Sequence, residues 1–275
     1  MTGLAAERGE SARPPATTAA PDWWHRPGLE SRDGQLLVAG EDAARLARAH
    51  GTPLFVYDRA RLGENARRLQ SALSRAGLAH RVRFALKANP LPEVLEVLRR
   101  LGPAGSPGAI GIDACSPGEI TRAMECGWEA GEISYTGTNV SERDLDVILA
   151  TGVHVNLDAI SQVERYGRRA AGTRIGLRID PAAGAGYHAG LAYSGERPHK
   201  FGIGLERLDD AIAAAERHGL VIDTVHFHAG SGWLGDGLAD FETALLPALD
   251  AVNRLRSSGH PVEEVNVGGG LGTPA

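Results

Sequence analysis

Short apolar blocks alternate with longer amphipathic stretches along the chain from residue 53 to residue 270. The apolar blocks are rich in Val, Ile, Leu and Phe, which is typical of strands buried on both faces. The stretches between them have helical spacing and end at glycines that suit helix C-caps. Strands that alternate with helices predict parallel βαβ units. The predicted strands are "PLFVYD", "RVRFALKAN", "AIGIDACS", "EISYTG", "GVHVNLD", "TRIGLRID", "DTVHFHAG" and "EEVNVGGG".

Two helix starts are well marked by their capping residues. Ser116 is followed by proline at the first helical position and by Glu119, which together form a capping-box pattern. Ser141 and Asp144 have a similar spacing before the next helical stretch. We therefore expect helices to begin directly after Ser116 and Ser141.

Polar residues follow the apolar part of most of the predicted strands. Many strand-helix units in series favour a (β/α)8 barrel of the TIM type, whose active sites lie at the carboxyl ends of the strands. An open parallel sheet would bind its ligands at the same ends. The polar strand-end residues are Lys87, Asp113, Tyr135, Asp158, Asp180, His228 and, as a backbone site, Gly268.

One connection is much longer than the others and precedes His228. It contains "PAAGAGYHAGLAYSGERPHKFGIG", a Gly-rich insertion that we expect to lie over the barrel mouth as a substrate loop.

The composition describes a globular protein with no specialised charge pattern. Hydrophobic residues make up 43% and charged residues 23%, with a net charge of −5. No basic stripe indicates nucleic-acid binding, and no apolar run has the length of a membrane span. Residues 1–21 lack a signal-peptide pattern and predict a disordered leader. The two cysteines fit a reduced protein, so we expect a cytoplasmic location.

Lys87 has an ordinary and a functional interpretation. A lysine at a strand end can simply extend its ammonium group to water. Alternatively, a lysine desolvated in a pocket can form a Schiff base with a carbonyl compound.

Three successive glycines, Gly268, Gly269 and Gly270, follow the last predicted strand. Such a run can form a tight turn, or it can let backbone amides approach an anion closely. Phosphate sites in these barrels form after the last strands, and Ser231 could add a hydroxyl donor.

His226 and His228 are two residues apart and point to the same side of a strand. They could bind zinc, but no carboxylate or cysteine accompanies them at a recognisable spacing, so we expect no metal. A flat imidazole at a barrel mouth can equally stack on a cofactor ring. Asp113 is a candidate polar contact near Lys87, and Arg178 points either into the barrel or towards a helix. A lysine, a stacking histidine, a serine and a glycine cradle on one rim predict a pyridoxal phosphate site.

Eight segments resemble the diaminopimelate decarboxylase branch of the alanine-racemase-fold pyridoxal enzymes, a family that includes ornithine and arginine decarboxylases. The resemblance covers roughly residues 35–273 in the family's order. It implies a (β/α)8 TIM-like barrel of pyridoxal phosphate fold type III. The segments are "FALKANP", "IDACSPGEI", "YTGTNVSERDL", "VNLDAISQVER", "LRIDP", "HKFGIG", "VHFHAGSGW" and "VNVGGGLG".

The resemblance also assigns roles to residues of this chain. Lys87 is implied to be the Schiff-base lysine on the first barrel strand, and His228 to stack on the pyridine ring. Ser231 and residues 268–270 are implied to hold the phosphate, and Lys200 is implied to lie near the substrate. Beside these, Asp113 is a candidate cofactor contact and Arg178 a candidate substrate contact.

The composition and the resemblance together predict three segments. They are the leader over residues 1–21, an N-terminal segment over 22–50 with a strand in "GQLLVAG" that joins a β-domain, and an incomplete barrel over 51–275. "NVGGG" is then the seventh strand, so strands one and seven are sheet edges. The family's eighth strand, its C-terminal β-domain and the glutamate that contacts the pyridine nitrogen are not in these residues.

The resemblance implies decarboxylation of an amino acid, with meso-diaminopimelate to L-lysine as the leading reaction and a homodimer as the full-length assembly. An amino-acid racemase of the same fold and a non-catalytic pyridoxal-binding homologue are the alternatives. A metal-dependent barrel hydrolase would instead use His226 and His228 as ligands.

Overall fold

The computed structural model describes residues 27–103, 105–106, 108–184, 200–233 and 237–272. The predicted leader over residues 1–21 and residues 185–199 of the predicted substrate loop lie outside the described residues. The chain divides into two units, one over residues 1–61 and the other over residues 62–274.

The first unit contains a small antiparallel sheet and one helix. The strands β1 (Leu29–Arg32), β2 (Gln35–Val38) and β3 (Glu41–Asp42) are paired in chain order. Asp42 caps helix α1 (Ala43–His50) because its side chain accepts a hydrogen bond of 2.8 Å from the amide of Ala44.

The apolar block at residues 53–58 is not a strand in the structure, so that prediction is wrong. A strand needs a neighbouring ladder to pair its backbone groups, and none of the described strands provides one here. Phe55 is 83% exposed, which shows that the apolar character of this block does not reflect burial in this unit.

The second unit is built on a parallel sheet in barrel order. Seven strands run in the order β4-β5-β6-β7-β8-β10-β11, and a short strand, β9, pairs with the end of β8. As predicted, β4 and β11 are the two ends of this path. The strands are β4 (Val82–Ala85), β5 (Ile110–Ala114), β6 (Ile133–Thr136), β7 (His154–Leu157), β8 (Arg174–Asp180), β9 (Ile203–Gly204), β10 (Val221–His226) and β11 (Glu264–Asn266).

Helices connect the strands and cover the outer face of the sheet. Both predicted caps are present: Ser116 Oγ accepts from the amide of Glu119, and Ser141 forms a reciprocal capping box with Asp144. No helix in the described part of the chain combines the length and apolar character of a membrane span. The helices are α2 (Arg59–Arg75), α3 (Pro92–Arg99), α4 (Pro117–Glu125), α5 (Glu142–Thr151), α6 (Ile160–Gly167), α7 (Leu208–Arg217) and α8 (Gly237–Ser257).

The two faces of the strands differ in chemistry because side chains alternate along a strand. Residues such as Ile112 and Leu177 are fully buried in the hydrophobic core under the helices. The alternate residues bring polar groups together on the inner face. There Asn156 Nδ2 donates to Ser134 Oγ and to Thr136 Oγ1, each over 3.0 Å.

Tyr135 belongs to the core and not to the rim, which corrects its assignment as a polar strand-end residue. It is 4% exposed and clusters with buried apolar side chains of the helical layer. Its neighbours Ser134 and Thr136 take the inner face, so the alternation of the strand places the phenol outside.

A charged cluster ties three strands together near their amino ends. Asp223 accepts hydrogen bonds from His154 Nε2 (2.8 Å), from Arg174 Nε (2.7 Å) and from Thr224 Oγ1 (2.9 Å). Burial raises the pKa of Asp223, but the hydrogen bonds from His154 and Arg174 outweigh it and bring the pKa from 3.8 to about 2. The charged form of Asp223 therefore stabilises the folded sheet.

Replacing Asp223 with asparagine is expected to remove a pH-dependent contribution to stability. Because the folded pKa is lower than the unfolded one, the contribution is complete above pH 3.8 and is lost as the pH falls towards 2. A shift of this size is worth about 2 kcal/mol near neutral pH. Urea unfolding measured between pH 7 and pH 2 checks this, with the exposed Asp250→Asn as a control. Equal losses of stability in both variants at pH 7 would contradict the stabilising role of the Asp223 charge.

Candidate active site

Lys87 lies directly after the first barrel strand, at the carboxyl end of the sheet. It occupies a 3-10 turn (Leu86–Ala88) and not the strand itself, which ends at Ala85. Leu86 is completely buried and anchors the turn, whereas Lys87 is exposed. The turn therefore presents the side chain of Lys87 at the exposed rim. The desolvated pocket that the functional interpretation of Lys87 predicts is not seen in the described residues.

Asp113 is the neighbour of this turn on the next strand. It lies on β5 in register with Ala85, and its Oδ1 is buried without a hydrogen-bond partner among the described residues. Burial raises the pKa of Asp113 to about 6, while the charges of Lys87 and Arg83 act in the opposite direction. This carboxyl group can therefore exchange a proton close to neutral pH.

Glu119 has a structural role, as its position in the capping pattern suggested. Its carboxylate accepts from the amide of Cys115 over 2.9 Å and from the thiol of Cys115 over 3.3 Å. It thus holds the loop between β5 and α4.

The two histidines occupy successive levels on the inner face of the sheet. His226 is buried on β10, in register with Arg178 and Asn266, and its Nδ1 has no partner among the described residues. His228 follows the strand, and burial, together with the charges of Arg178 and Lys87, lowers its pKa to about 4. The ring of His228 is therefore neutral at physiological pH, which suits stacking on an aromatic ring better than an imidazolium does.

The loops after β10 and β11 are joined by backbone hydrogen bonds. Gly270 O accepts from the amides of Gly232 (2.8 Å) and Trp233 (3.0 Å), and Trp233 O accepts from the amide of Gly272 (3.0 Å). The amide of Gly269 donates to His228 Nδ1 over 3.4 Å. These bonds bring the histidine loop and the glycine run into one surface.

Residues 268–270, which we call the glycine cradle, require glycine at two positions. Gly268 has φ +69°, and a Cβ there would lie 2.7 Å from Phe227 O and 2.9 Å from His228 Nδ1. Gly270 has φ +93°, and a Cβ there would overlap Gly230 O and lie 3.1 Å from the Cα of Ser231. The structure thus brings Ser231 and the cradle together, as the sequence predicts for a phosphate site.

The two predicted substrate residues share one aromatic neighbour that sequence reasoning missed. The Cζ atom of Arg178 lies 4.6 Å from the centre of the Phe201 ring, and the Nζ atom of Lys200 lies 5.1 Å from it. Phe201 stands next to Lys200 in "HKFGIG", so an aromatic residue beside the predicted substrate lysine was the available signal. Arg178 is on the inner face, which settles the direction left open by the sequence.

Asp158 adds a buried acidic group to this region. It follows β7, is 3% exposed and accepts a hydrogen bond from Thr138 Oγ1. Burial raises its pKa, whereas the bond from Thr138 and the charge of Arg178 lower it. Among the residues that the structure describes, no group of three His, Cys, Asp or Glu side chains is arranged to hold a metal ion.

Comparison with known families identifies the class of protein that this barrel and rim define. Residues 59–275 match the family model described as pyridoxal-dependent decarboxylase, pyridoxal binding domain. The chain belongs to this family.

Among its curated relatives is a diaminopimelate decarboxylase of Methanothermobacter thermautotrophicus, 38% identical over 90% of this chain and 56% of the relative. Another is a diaminopimelate decarboxylase of Pseudomonas aeruginosa, 34% identical over 88% of this chain and 57% of the relative. The chain spans a little over half the length of these relatives.

A solved structure supports the fold assignment. The diaminopimelate decarboxylase from M. jannaschii in complex with L-lysine is 25% identical and superposes with a TM-score of 0.74. The match covers 90% of this chain and 57% of that chain. The predicted TIM-like barrel of pyridoxal phosphate fold type III is confirmed, as are the family and the cofactor class.

The residues of the rim fit pyridoxal phosphate on their geometry. The glycine cradle presents accessible backbone, and a side chain would not fit at Gly268 or at Gly270, which suits the close approach of a phosphate group. The neutral His228 ring lies against that cradle, and Lys87 supplies an exposed amine on the same rim.

Replacing Gly270 with alanine is expected to destabilise the apo protein by at least about 2 kcal/mol, because a Cβ would overlap Gly230 O at a positive φ. Gly269→Ala is the matched control, because a Cβ there meets nothing within 4 Å. Chemical denaturation of both variants measures the difference, and equal stability of the two would refute this account of the cradle.

Replacing Lys87 with methionine is expected to raise the pKa of Asp113 above its value of about 6, because the ammonium charge of Lys87 lowers it. The titration can be followed by NMR of the Asp113 carboxyl carbon, assigned with Asp113→Asn. Lys200→Met serves as a control because Lys200 does not act on Asp113. An unchanged or lower pKa in Lys87→Met would show that the amine does not face Asp113.

Proposed function

We propose that this chain forms the cofactor-binding part of an amino-acid decarboxylase that acts on meso-diaminopimelate and produces L-lysine. The observation that carries the proposal is the convergence of Lys87, the neutral His228 and the glycine cradle on one rim of the barrel. Pyridoxal phosphate, when bound, supplies an electron sink for the bond that breaks at the substrate's α-carbon.

The residues of this chain would divide the work of binding and orientation. Lys87 would hold the cofactor covalently through its amine. His228 would stack on the pyridine ring because its imidazole is uncharged and held by the amide of Gly269. The glycine cradle and Ser231 would anchor the phosphate.

Asp113 would hold a proton next to Lys87. Its buried Oδ1 is unpartnered among the described residues, and its pKa of about 6 places the proton exchange close to neutral pH. The carboxyl group can therefore take a proton from the amine or return one as the substrate enters and the product leaves.

The proposed substrate is an amino acid with a second charged end. Arg178 and Lys200 both lie over the Phe201 ring and present two cations, which suit a carboxylate at the far end of a substrate. The buried Asp158 provides a nearby acceptor for an ammonium group. The relatives named diaminopimelate decarboxylase and the M. jannaschii complex with L-lysine support this choice.

We also propose that the whole protein acts as a homodimer in the cytoplasm. Cys115 and Cys126 are both free thiols, which suits a reducing compartment. Sedimentation of the full-length protein tests the assembly.

The first test is covalent labelling of the purified chain. After incubation with pyridoxal phosphate and borohydride reduction, mass spectrometry of the digest is expected to find a pyridoxyl group on Lys87. Lys87→Arg should abolish this adduct, while Lys200→Arg should leave it unchanged. Lys87 and Lys200 are the two lysines of the sequence, so a pyridoxyl group on Lys200 or on the N-terminal amine, with none on Lys87, would overturn the proposal.

The reaction itself is tested by carbon dioxide release from labelled meso-diaminopimelate, with the chain alone and with a downstream segment supplied in trans. Release identifies a decarboxylase. Inversion of the α-carbon without release indicates a racemase, and an adduct without either reaction indicates a binding protein.

A further inference from the structure

The first and seventh barrel strands are linked by side chains and not by a backbone ladder. Each is paired on one side only among the described strands, β4 with β5 and β11 with β10. Arg83 Nη1 donates to Glu264 Oε1 over 2.6 Å, and Arg83 Nη2 donates to Glu264 Oε2 over 3.0 Å. We call Arg83 and Glu264 the seam pair.

The seam pair has the geometry of a strong, directional contact. A planar guanidinium that donates two parallel bonds to one carboxylate fixes distance and orientation together. The side chains are only 14% and 33% exposed, so water screens the contact less than it screens a surface pair. Burial raises the pKa of Glu264, and the bonds and charge of Arg83 outweigh it and lower the pKa overall.

The fold makes specific room for the arginine. Arg83 is in register with Gly111 on β5, and a Cβ at Gly111 would lie 3.2 Å from the Cγ of Arg83 and 2.7 Å from Glu132 O. The aliphatic part of Arg83 therefore occupies space that any other residue at position 111 would fill.

Each residue of the seam pair precedes one of the two proposed cofactor-binding segments by the same number of residues along the chain. Lys87 lies four residues after Arg83, and Gly268 lies four residues after Glu264. The end of β4 and Leu86 separate Arg83 from Lys87, and the rest of β11 and Val267 separate Glu264 from the cradle. β11 is three residues long and, among the described strands, pairs only with β10.

We propose, on the basis of the proposed function, that Arg83 and Glu264 are positioning residues that set the separation between Lys87 and the glycine cradle. Pyridoxal phosphate, when bound, would be held at both places, by the amine of Lys87 and by the glycine cradle. A relative shift of the two segments by about 1 Å is enough to weaken the binding of a ligand that must contact both.

The test uses the 275-residue chain with Arg83→Gln, Glu264→Gln and the double variant Arg83→Glu with Glu264→Arg. The control is Arg99→Gln, which breaks another partly buried arginine-glutamate pair, with Glu132, away from the rim. Two quantities are measured: amide hydrogen exchange of residues 82–88 and 264–272 without cofactor, and the dissociation constant of pyridoxal phosphate.

We expect faster exchange in both segments for each single seam variant and a dissociation constant raised about tenfold or more. The charge-exchanged double variant should recover part of the affinity, because it restores an ion pair of opposite direction. Arg99→Gln should leave the affinity for pyridoxal phosphate unchanged even where it lowers the overall stability.

Unchanged exchange in the seam variants would overturn the proposal, and so would faster exchange with unchanged affinity, since the pair would then be structural only. A wild-type chain that takes up no pyridoxal phosphate at Lys87 would refute the proposed function instead. In that case the exchange measurement still decides whether the seam pair holds the two segments.

Discussion

The site depends on the parallel pairing of the barrel strands, because parallel pairing puts every carboxyl end on one rim. Lys87, Asp113, Asp158, His228 and the glycine cradle come from five different strands and meet only for this reason. Alternation along each strand then separates the apolar residues under the helices from the polar residues of the inner face. The parallel pairing of the strands is thus enough to bring the rim residues together, and most of them need no unusual backbone conformation.

Cations act on the groups of the rim although the chain as a whole is negatively charged. The net charge is −5, yet Arg83, Lys87 and Arg178 together act on the groups of the rim. Their field, added to burial, keeps both histidines neutral, and it partly offsets the effect of burial on Asp113. An anionic ligand that binds among these cations gains from the same field. This explains how one set of cations can favour a phosphate and also preserve an uncharged stacking ring.

Most of the fold could be predicted from the sequence, because its signals are local. Apolar blocks, glycine C-caps and the boxes at Ser116 and Ser141 act over a few residues and require no knowledge of the neighbours. The wrong predictions concern features that depend on neighbours distant in the sequence. The block at 53–58 has strand composition but no partner among the described strands, and Tyr135 follows a strand pattern whose inward direction the sequence could not fix.

The sequence by itself determined the strand order, the residue types of the rim and the family resemblance that connects them. Only the tertiary structure decided which of these residues meet. It placed Arg178 and Lys200 over the same Phe201 ring, and it brought Arg83 to Glu264 across a separation of 181 residues. The physical reason is range: caps and periodicity are fixed by neighbours along the chain, whereas an ion pair between sheet edges exists only after the strands between them have paired.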